Sequence, residues 1–312
     1  MFAAIALPFI VPGIITALIW ALPGDPASII CPPGQCPTEI LKEEFNLDKG
    51  AWYFFLSWLG DALQGDFGTS WRVMTGVDVY ELMMGSPADN QLVEPISAHL
   101  PNTILLLMLS LLPITIGAAL GAMNKPTPKW DPILVSVGII PIVVLSLLVA
   151  ALVEINIDLD AENIAGRIKI LAGALTLGIA DAALSGSIIG VRGIFDRENK
   201  QRYVGVSILR GETVLSNTLP NVANSLVGQY RSRILHLLSG LVIVETIIGI
   251  DGIGRLLWKG TLKQDFGVVL ATATAFAIIS ALLLLFQALL EAGIALHIRK
   301  APKGVALTAE QK

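Results

Sequence analysis

The chain has 312 residues, of which 54% are hydrophobic and only 15% are charged. Soluble domains are about a quarter charged, so this balance excludes an ordinary soluble domain and indicates an integral membrane protein. The net charge is −4, and the sequence has no basic run of the kind that binds nucleic acid.

Six segments are long and apolar enough to cross a bilayer as helices, which takes about 20 residues. They are residues 2–22, 103–123, 132–153, 168–191, 222–250 and 267–296. Lipid excludes an open sheet, because its edge groups would lack hydrogen-bond partners, and no alternating pattern indicates a barrel. Residues 2–22 lack the basic start and the cleavage site of a signal peptide, so we expect a retained helix. The sequence therefore predicts an all-α membrane protein with six transmembrane helices.

Basic residues mark the side of the membrane on which each loop lies. They occur in the loops 124–131 and 192–221 and in the tail 297–312, whereas residues 24–100 hold three basic residues against eleven acidic ones. Because Lys and Arg accumulate on the cytoplasmic side, we expect both termini and both basic loops there. The predicted divisions are helix 1 (1–22), an extracytoplasmic segment (23–102), helices 2–6 (103–296) and a cytoplasmic tail (297–312).

The predicted extracytoplasmic segment has structure of its own. Residues 38–46 and 50–63 each favour a short helix, and the second is rich in aromatic residues. It either lies in the membrane interface or packs as a cap on the bundle. Cys31 and Cys36 flank a Pro-Pro-Gly turn and form either a disulfide or two free thiols.

The residues that enzymes use for catalysis do not come together in this sequence. There is no phosphate-binding loop motif and no H-E-x-x-H, and the histidines at 99, 236 and 297 lack metal-ligand spacing. Ser185-Gly186-Ser187 lies within a predicted membrane helix, where small residues favour helix packing over protease chemistry. We therefore expect no catalytic residues, no metal and no cofactor bound by this chain.

Several short motifs resemble one family of membrane proteins. In chain order they include Pro-Gly-Asp-Pro-Ala at 23–27, Gly-Asp-Phe-Gly-Thr-Ser at 65–70, Leu-Pro-Asn at 219–221, Val-Glu-Thr at 244–246 and Gly-Ile-Gly-Arg-Leu-Leu at 252–257. Together they are similar to the inner-membrane permeases of the dipeptide, oligopeptide and nickel class of ABC importers. The resemblance covers nearly the whole chain and points to the first of the two paired permeases.

The resemblance implies a type I importer fold and a set of partners. These are a homologous second permease, two cytoplasmic ATPases that use ATP and Mg, and an extracytoplasmic substrate-binding protein. The loop 192–221 would dock into an ATPase through residues Tyr203, Leu209, Arg210, Gly211, Leu219 and Pro220. Tyr203 and Leu209 either contact the ATPase or pack against the end of the bundle. Gly211 would allow a left-handed turn between two short helices.

Three ionisable residues inside predicted spans are candidates for the translocation path: Asp181, Arg231 and Arg233. Such residues usually face a partner or water. The two arginines stand about 200° apart on a helix, so they cannot share a face. Either Asp181 interacts with one of them, or the arginines extend separately towards the cytoplasmic headgroups.

Three residues near the predicted outer end of helix 5 are candidates for a gate or for contact with the binding protein: Glu245, Thr246 and Arg255. The alternative, which the residues favour for Glu245, is a structural hydrogen bond to the loop 252–255.

The function that the sequence predicts is that of an ABC importer permease without enzyme activity of its own. It would form half of a path for peptides or similar small solutes. An ion-coupled secondary transporter and, less favoured, an intramembrane enzyme are the alternatives. The first would need an inverted repeat with paired midplane charges, and the second a converging nucleophile and base. The sequence does not distinguish a peptide from nickel or another solute.

Overall fold

A computed structural model describes residues 2–24, 26–30, 39, 42–43, 45–71, 92–123, 131–156 and 162–300. The regular elements in these ranges are all helices: α1 (Phe2–Ala21), α2 (Pro26–Ile30), α3 (Ala51–Ala62), α4 (Val93–Met123), α5 (Asp131–Gly138), α6 (Ile142–Asn156), α7 (Glu162–Ile179), α8 (Ala183–Asn199), α9 (Arg202–Leu209), α10 (Val214–Ile248), α11 (Ile253–Leu262) and α12 (Phe266–Lys300). Cys31 and Cys36 lie outside the described residues, as do residues 38, 40, 41 and 44 of the helix predicted at 38–46.

The helices supply up to six membrane spans. By length and composition α1, α4 and α12 can each cross a membrane unbroken. Three further spans are bent pairs, with angles of 81° for α5–α6, 42° for α7–α8 and 73° for α10–α11. The predicted all-α fold is confirmed. The structure corrects the segments 132–153 and 168–191, which are not single helices but are broken at residues 139–141 and 180–182.

Two local causes account for these breaks. Pro141, at the first break, has no N–H to continue the helical ladder. At the second break Asp181 and Ala182 adopt left-handed conformations, with φ of 48° and 60°. The two breaks meet, because the N–H of Asp181 donates to the carbonyl of Ile140 at 3.2 Å. The interruptions thus satisfy each other's backbone groups, as a membrane interior requires.

The main hydrophobic core surrounds α10. Buried side chains of α4, α6 and α7 pack there against one face of α10, which presents Leu237, Leu241 and Val244. These side chains include Leu106, Ile114, Ile142 and Leu177. The helix α1 packs along α12, which joins the first predicted span to the bundle.

Glycines let α4 and α8 approach closely. A Cβ on Gly117 would lie 3.0 Å from the carbonyl oxygen of Leu184, and one on Gly121 would overlap the carbonyl of Ile188. The Oγ of Ser187 donates to the carbonyl of Ile114 at 3.0 Å. Gly117 and Gly121 of α4 therefore form a packing surface for α8, and Ser187 of α8 bonds across the same contact, in agreement with the packing role predicted for Ser185-Gly186-Ser187.

The segment that contains α3 caps one end of the bundle. Phe54 and Trp58 of α3 are buried in a cluster with Ile19, Trp71 and Leu270. The opposite face of α3 is exposed, with Trp52 72% accessible. The helix confirms the prediction at 50–63, and one face packs as a cap while the other is free to meet a membrane interface. This end is called the α3 end below, and the opposite end of the bundle is called the α9 end.

Candidate functional site

Glu245 is completely buried near the α3 end, at the point where α10 turns into α11. One carboxylate oxygen accepts hydrogen bonds from the N–H groups of Gly254, at 2.7 Å, and Arg255, at 3.2 Å. The other accepts from the hydroxyl of Thr103 at 2.7 Å. The carboxylate therefore caps the N-terminus of α11, where unpaired N–H groups favour negative charge.

The glycines beside Glu245 make room for this cap. A Cβ on Gly252 would overlap the carboxylate, and one on Gly254 would lie 2.8 Å from the Cα of Val242. Thr103 also accepts a hydrogen bond from the N–H of Ile253 at 2.8 Å. The structural hydrogen bond that the sequence favoured for Glu245 is present in this form.

The two neighbouring candidates are placed differently. The Oγ1 of Thr246 is buried without a hydrogen-bond partner in the described part of the chain. The side chain of Arg255 pairs with the carboxylate of Asp251 at 2.5 Å, at the surface. Of the three, Arg255 alone has a charged group within reach of another protein.

Asp181 holds the two helix breaks together. Its Oδ1 accepts a hydrogen bond from the N–H of Ile142, the first residue of α6, at 3.2 Å. Its Oδ2 lies 3.9 Å from Nε2 of His236 on α10. Asp181 is thus a side-chain cap on α6 that also faces α10.

The predicted pairing of Asp181 with an arginine is absent in this conformation. No Asp181 oxygen lies within 4.0 Å of Arg231 or Arg233 among the ion pairs of the described residues. Arg233 instead donates from Nη1 to the carbonyl of Ala182 at 3.0 Å. Because Ala182 lies at the break between α7 and α8, halfway along that span, Arg233 extends to the break and not to the headgroups. Arg231 is exposed on a different face of α10.

A line of polar residues follows α10 through the membrane. Ser225, Gln229, Ser232, His236 and Ser239 recur at intervals of three or four residues, so they share one face of the helix. The three serines are exposed and the other two are half-buried. We call this face the polar stripe. It rises about 21 Å over its length, against about 30 Å for the hydrocarbon core.

The exposed faces of other spans have a different composition. On α4 they present Leu105, Met108 and Leu112, and on α12 they present Leu282 and Phe286. Such side chains suit lipid. The polar stripe does not, because its exposed Ser225 and Ser232 have no hydrogen-bond partner in the described ranges, and an unpaired polar group in hydrocarbon costs several kcal/mol (about 2–7).

At the α9 end the predicted loop 192–221 is mostly helical. The short helix α9 ends in a Gly-terminated turn, in which Gly211 has φ of 78° and the N–H of Glu212 donates to the carbonyl of Ser207 at 3.1 Å. This is the left-handed turn that the sequence predicted at Gly211, and it satisfies carbonyls at the end of the helix.

The surface of α9 carries exposed apolar groups. Leu209 is 88% accessible, and Arg210 beside it is exposed as well. Leu219 and Pro220 are also exposed, although they lie within the first turns of α10 and not in a loop. Leu209 therefore does not pack against this bundle.

Tyr203 is partly tied to its own chain. Its hydroxyl donates to the carboxylate of Glu198 at 2.5 Å and accepts from the amide of Asn221 at 2.6 Å. Desolvation raises the pKa of the Tyr203 phenol, and the Glu198 carboxylate raises it further. These bonds join the end of α8 to the start of α10 across α9.

Sequence reasoning missed the polar stripe and the partners Thr103, Gln229 and His236. The signal was available, because five polar residues at helical spacing in the segment 222–250 predict a polar face. The breaks at 139–141 and 180–182 had a weaker signal, since only Pro141 marks them.

Comparison with known proteins places the chain in one class. Residues 205–296 match the family described as binding-protein-dependent transport system inner membrane component. The chain is 27% identical over 283 residues to the oligopeptide transport system permease protein AppB of Bacillus subtilis (strain 168), covering 83% of this chain and 84% of that protein. It is 25% identical over 283 residues to the glutathione transport system permease protein GsiC of Escherichia coli (strain K12), covering 86% and 87%.

A third relative matches a larger share of the chain. The probable peptide ABC transporter permease protein y4tP of Sinorhizobium fredii is 23% identical over 310 residues, which is 93% of each chain. The proteins of this family are transport permeases and not enzymes. With its apolar helices and its motifs in the expected order, this chain is a multi-pass membrane permease subunit of an ABC importer.

Proposed function

We propose that this chain forms one half of a translocation path for peptides or similar small solutes, and that the polar stripe of α10 lines that path. The other half would be a homologous second permease. Two ATPases would bind at the α9 end, and a substrate-binding protein would bind at the α3 end. The names of the relatives support this solute class, since they transport oligopeptides, glutathione or peptides.

The polar stripe is the observation that carries the proposal. Its serines are exposed on the isolated chain, on a helix that packs its opposite face into the core. The hydroxyl of Ser239 donates to the carbonyl of His236 on the same helix at 2.7 Å, whereas Ser225 and Ser232 have no hydrogen-bond partner among the described residues. Lipid cannot satisfy these two serines, so water or another polypeptide must do so. A path between two permeases supplies both.

The proposed coupling surface consists of Tyr203, Leu209, Arg210, Gly211, Leu219 and Pro220. Leu209 and Leu219 are exposed apolar groups that a partner's groove would bury. ATP binding would close the ATPases, and α9 would convey that motion to α8 and α10, to which Tyr203 connects it. The path would then open towards the binding protein, and hydrolysis would reset it.

The orientation follows the charge pattern of the sequence. The α9 end and both termini would lie in the cytoplasm, and the α3 end outside. Cys31 and Cys36 would then meet an oxidising compartment, which permits a disulfide. Mass spectrometry of non-reduced peptides that span both cysteines would decide it, and two alkylated thiols would contradict the bridge.

Cysteine accessibility tests the path. Ser225→Cys, Ser232→Cys and Ser239→Cys change one atom each on the polar stripe, and Leu112→Cys on the lipid-like face of α4 is the matched control. Each would be placed in the complete importer with Cys31 and Cys36 replaced by serine. A charged methanethiosulfonate reagent reacts only where water reaches the thiol. We expect the stripe positions to react, at rates that differ between nucleotide-free and ATP-trapped importer, while Leu112→Cys stays unreactive.

Two results would contradict the proposal. If all three stripe positions were as unreactive as Leu112→Cys in every state, water would not reach this face and the path would lie elsewhere. If the reaction rates were identical with and without trapped ATP, the face would be wet but uncoupled from the ATPases.

A further inference from the structure

A cleft of about 420 Å³ opens between α5, α8 and α10. Its walls are mostly apolar or small, and its long polar side chains are Gln229 and Arg233, both from α10. Gln229 also belongs to the polar stripe, so the cleft borders the proposed path. The volume falls within the range of about 300–1,000 Å³ that small-molecule sites occupy.

The cleft contains the positive charge of Arg233, and no acidic side chain among the described residues lines it. The one hydrogen bond of Arg233 within the described ranges goes from Nη1 to the carbonyl of Ala182. Its Nε is buried and has no partner there. A guanidinium has five N–H donors, so three of them, on Nη1 and Nη2, remain available to a bound group.

Two glycines of α8 fix the position of both polar side chains. A Cβ on Gly186 would lie 2.9 Å from Cζ of Arg233, and one on Gly190 would lie 2.9 Å from Cδ of Gln229. The guanidinium and the amide therefore lie flat against α8, four residues apart on one face. Gln229 donates to the carbonyl of Gly186 at 3.2 Å, which leaves its own oxygen as an acceptor.

The depth of Arg233 limits what it can bind. It stands 13 residues after Pro220 of the proposed coupling surface and 15 residues before Ile248, where α10 ends. At 1.5 Å per residue these separations are about 20 Å and 22 Å. Lipid phosphates lie near the ends of a span, so an anion that reaches Arg233 arrives through the bundle.

We infer that this cleft is a transit site for the carboxylate of the transported solute, with Arg233 as the binding group and Gln229 as an orienting acceptor for a solute N–H. The inference rests on the proposed function and adds the chemical class that the path prefers. Guanidinium and carboxylate match in planar, two-bond geometry, and the apolar walls strengthen their attraction by excluding water. Halfway across the membrane, the guanidinium would replace the water that surrounds the carboxylate in solution.

The test uses the complete importer in proteoliposomes with its binding protein. Radiolabelled trialanine is the probe, and uptake and ATP hydrolysis are measured in the same vesicles. Arg233→Gln removes the charge, Arg233→Lys keeps it, and Arg167→Gln makes the same change at an exposed arginine of α7 outside the cleft. Loss of a charge-assisted contact predicts about tenfold less trialanine moved per ATP in Arg233→Gln. Arg233→Lys should move nearly as much trialanine per ATP as the wild type, and Arg167→Gln should move the same amount as the wild type.

A second probe isolates the carboxylate. Trialanine amide, once shown to be captured by the binding protein, should be moved equally well by the wild type and by Arg233→Gln. An equal tenfold loss for the acid and the amide, or a parallel fall of uptake and ATP hydrolysis in both Arg233 variants, would assign Arg233 a structural role and overturn the inference. Unchanged uptake in Arg233→Gln would overturn it as well.

The proposed function fails in a different way. A wild-type importer whose ATPase is not stimulated by the loaded binding protein would contradict coupling, whatever Arg233 does. A wild-type importer with stimulated ATPase that moves neither trialanine nor glutathione would exclude peptides, and the carboxylate site with them.

Discussion

The two ends of this permease are built on opposite principles. At the α3 end the two buried carboxylates are paired within the chain, with Glu245 bonded to Thr103 and to the start of α11, and Asp265 bonded to Ser70 and Trp71. At the α9 end Leu209 is exposed to solvent, and the short surface helix α9 ends in a turn at Gly211. The first end is complete in the isolated chain, whereas the second has the features of a surface that another protein completes.

Glu245→Ala should have the largest effect, because it breaks the complete end. The hydroxyl of Thr103 and two backbone N–H groups would lose their acceptor, at about 1–3 kcal/mol for each buried unpaired group. We expect a sharp fall in the unfolding temperature of the purified importer, followed by intrinsic tryptophan fluorescence. Glu245→Gln keeps one acceptor oxygen, so its unfolding temperature should lie between that of Glu245→Ala and that of the wild type.

Arg255→Gln is the matched control, since it removes a surface ion pair with Asp251, worth about 0–1 kcal/mol, and a long hydrogen bond of 3.5 Å to the carbonyl of Gly249. An importer with Glu245→Ala that melts like the wild type, yet no longer responds to its binding protein, would contradict the structural role. Glu245 would then be a gate residue.

Leu209→Asp should show the reverse behaviour at the other end. Leu209 touches little of its own chain, so the unfolding temperature of the permease should not change. If an ATPase buries this side chain, its loss removes about 1.5–3 kcal/mol of binding, which is tenfold or more in affinity. Affinity for the purified ATPase measures this directly.

Leu63→Asp tests whether the effect belongs to the α9 end. Leu63 is 71% accessible beside α3, and the same substitution there should leave ATPase affinity unchanged. Equal affinities for Leu209→Asp and the wild type would remove Leu209 from the docking surface.

Gly211→Val probes the turn and not the surface. A Cβ on Gly211 meets nothing within 4 Å, so any effect comes from its backbone, where a left-handed conformation costs a β-branched residue about 1–2 kcal/mol. We expect transport to fall while the binding protein still captures its substrate. Gly211→Asn is the control, because Asn tolerates this conformation, and it should retain most transport. Normal transport in Gly211→Val would contradict the coupling role of this turn.

The sequence predicted the fold far better than the site. Spans of about 20 apolar residues and the motifs at 244–246 and 252–257 were sufficient for the class, because hydropathy alone decides what crosses a membrane. The hydrogen bonds of Glu245 were also predictable, since Gly254 and Arg255, whose N–H groups donate to it, follow closely in the chain.

The contacts of Asp181 were not predictable, because they depend on where two helices break. Apolar residues continue on both sides of residues 139–141 and 180–182, although the helical backbone is interrupted there. The break places Ala182 in front of Arg233 and turns the Asp181 carboxylate towards Ile142 and His236. If α7 and α8 formed one straight helix, Arg231 and Arg233 would have different neighbours.

Asp181→Asn should have the smallest effect and is informative for that reason. Asparagine keeps an oxygen for the N–H of Ile142 and tolerates the left-handed conformation, so we expect a stability change within about 0.5 kcal/mol. Asp181→Ala removes the cap and should cost about 1 kcal/mol, measured as a lower unfolding temperature. If both variants lost transport without losing stability, the charge itself would matter.

A charge swap then shows with which group that charge interacts. In the conformation described here no arginine lies within 4.0 Å of Asp181, so the double variant Asp181→Arg with Arg233→Asp should transport no better than either single variant. Recovery in the double variant would mean that the two side chains pair in the other state of the transport cycle. The break between α7 and α8 would then have to move relative to α10 by enough to exchange the contact of Asp181 with His236 for one with Arg233. That displacement would be visible as a change in the distance between spin labels placed on α7 and α10 when ATP is trapped.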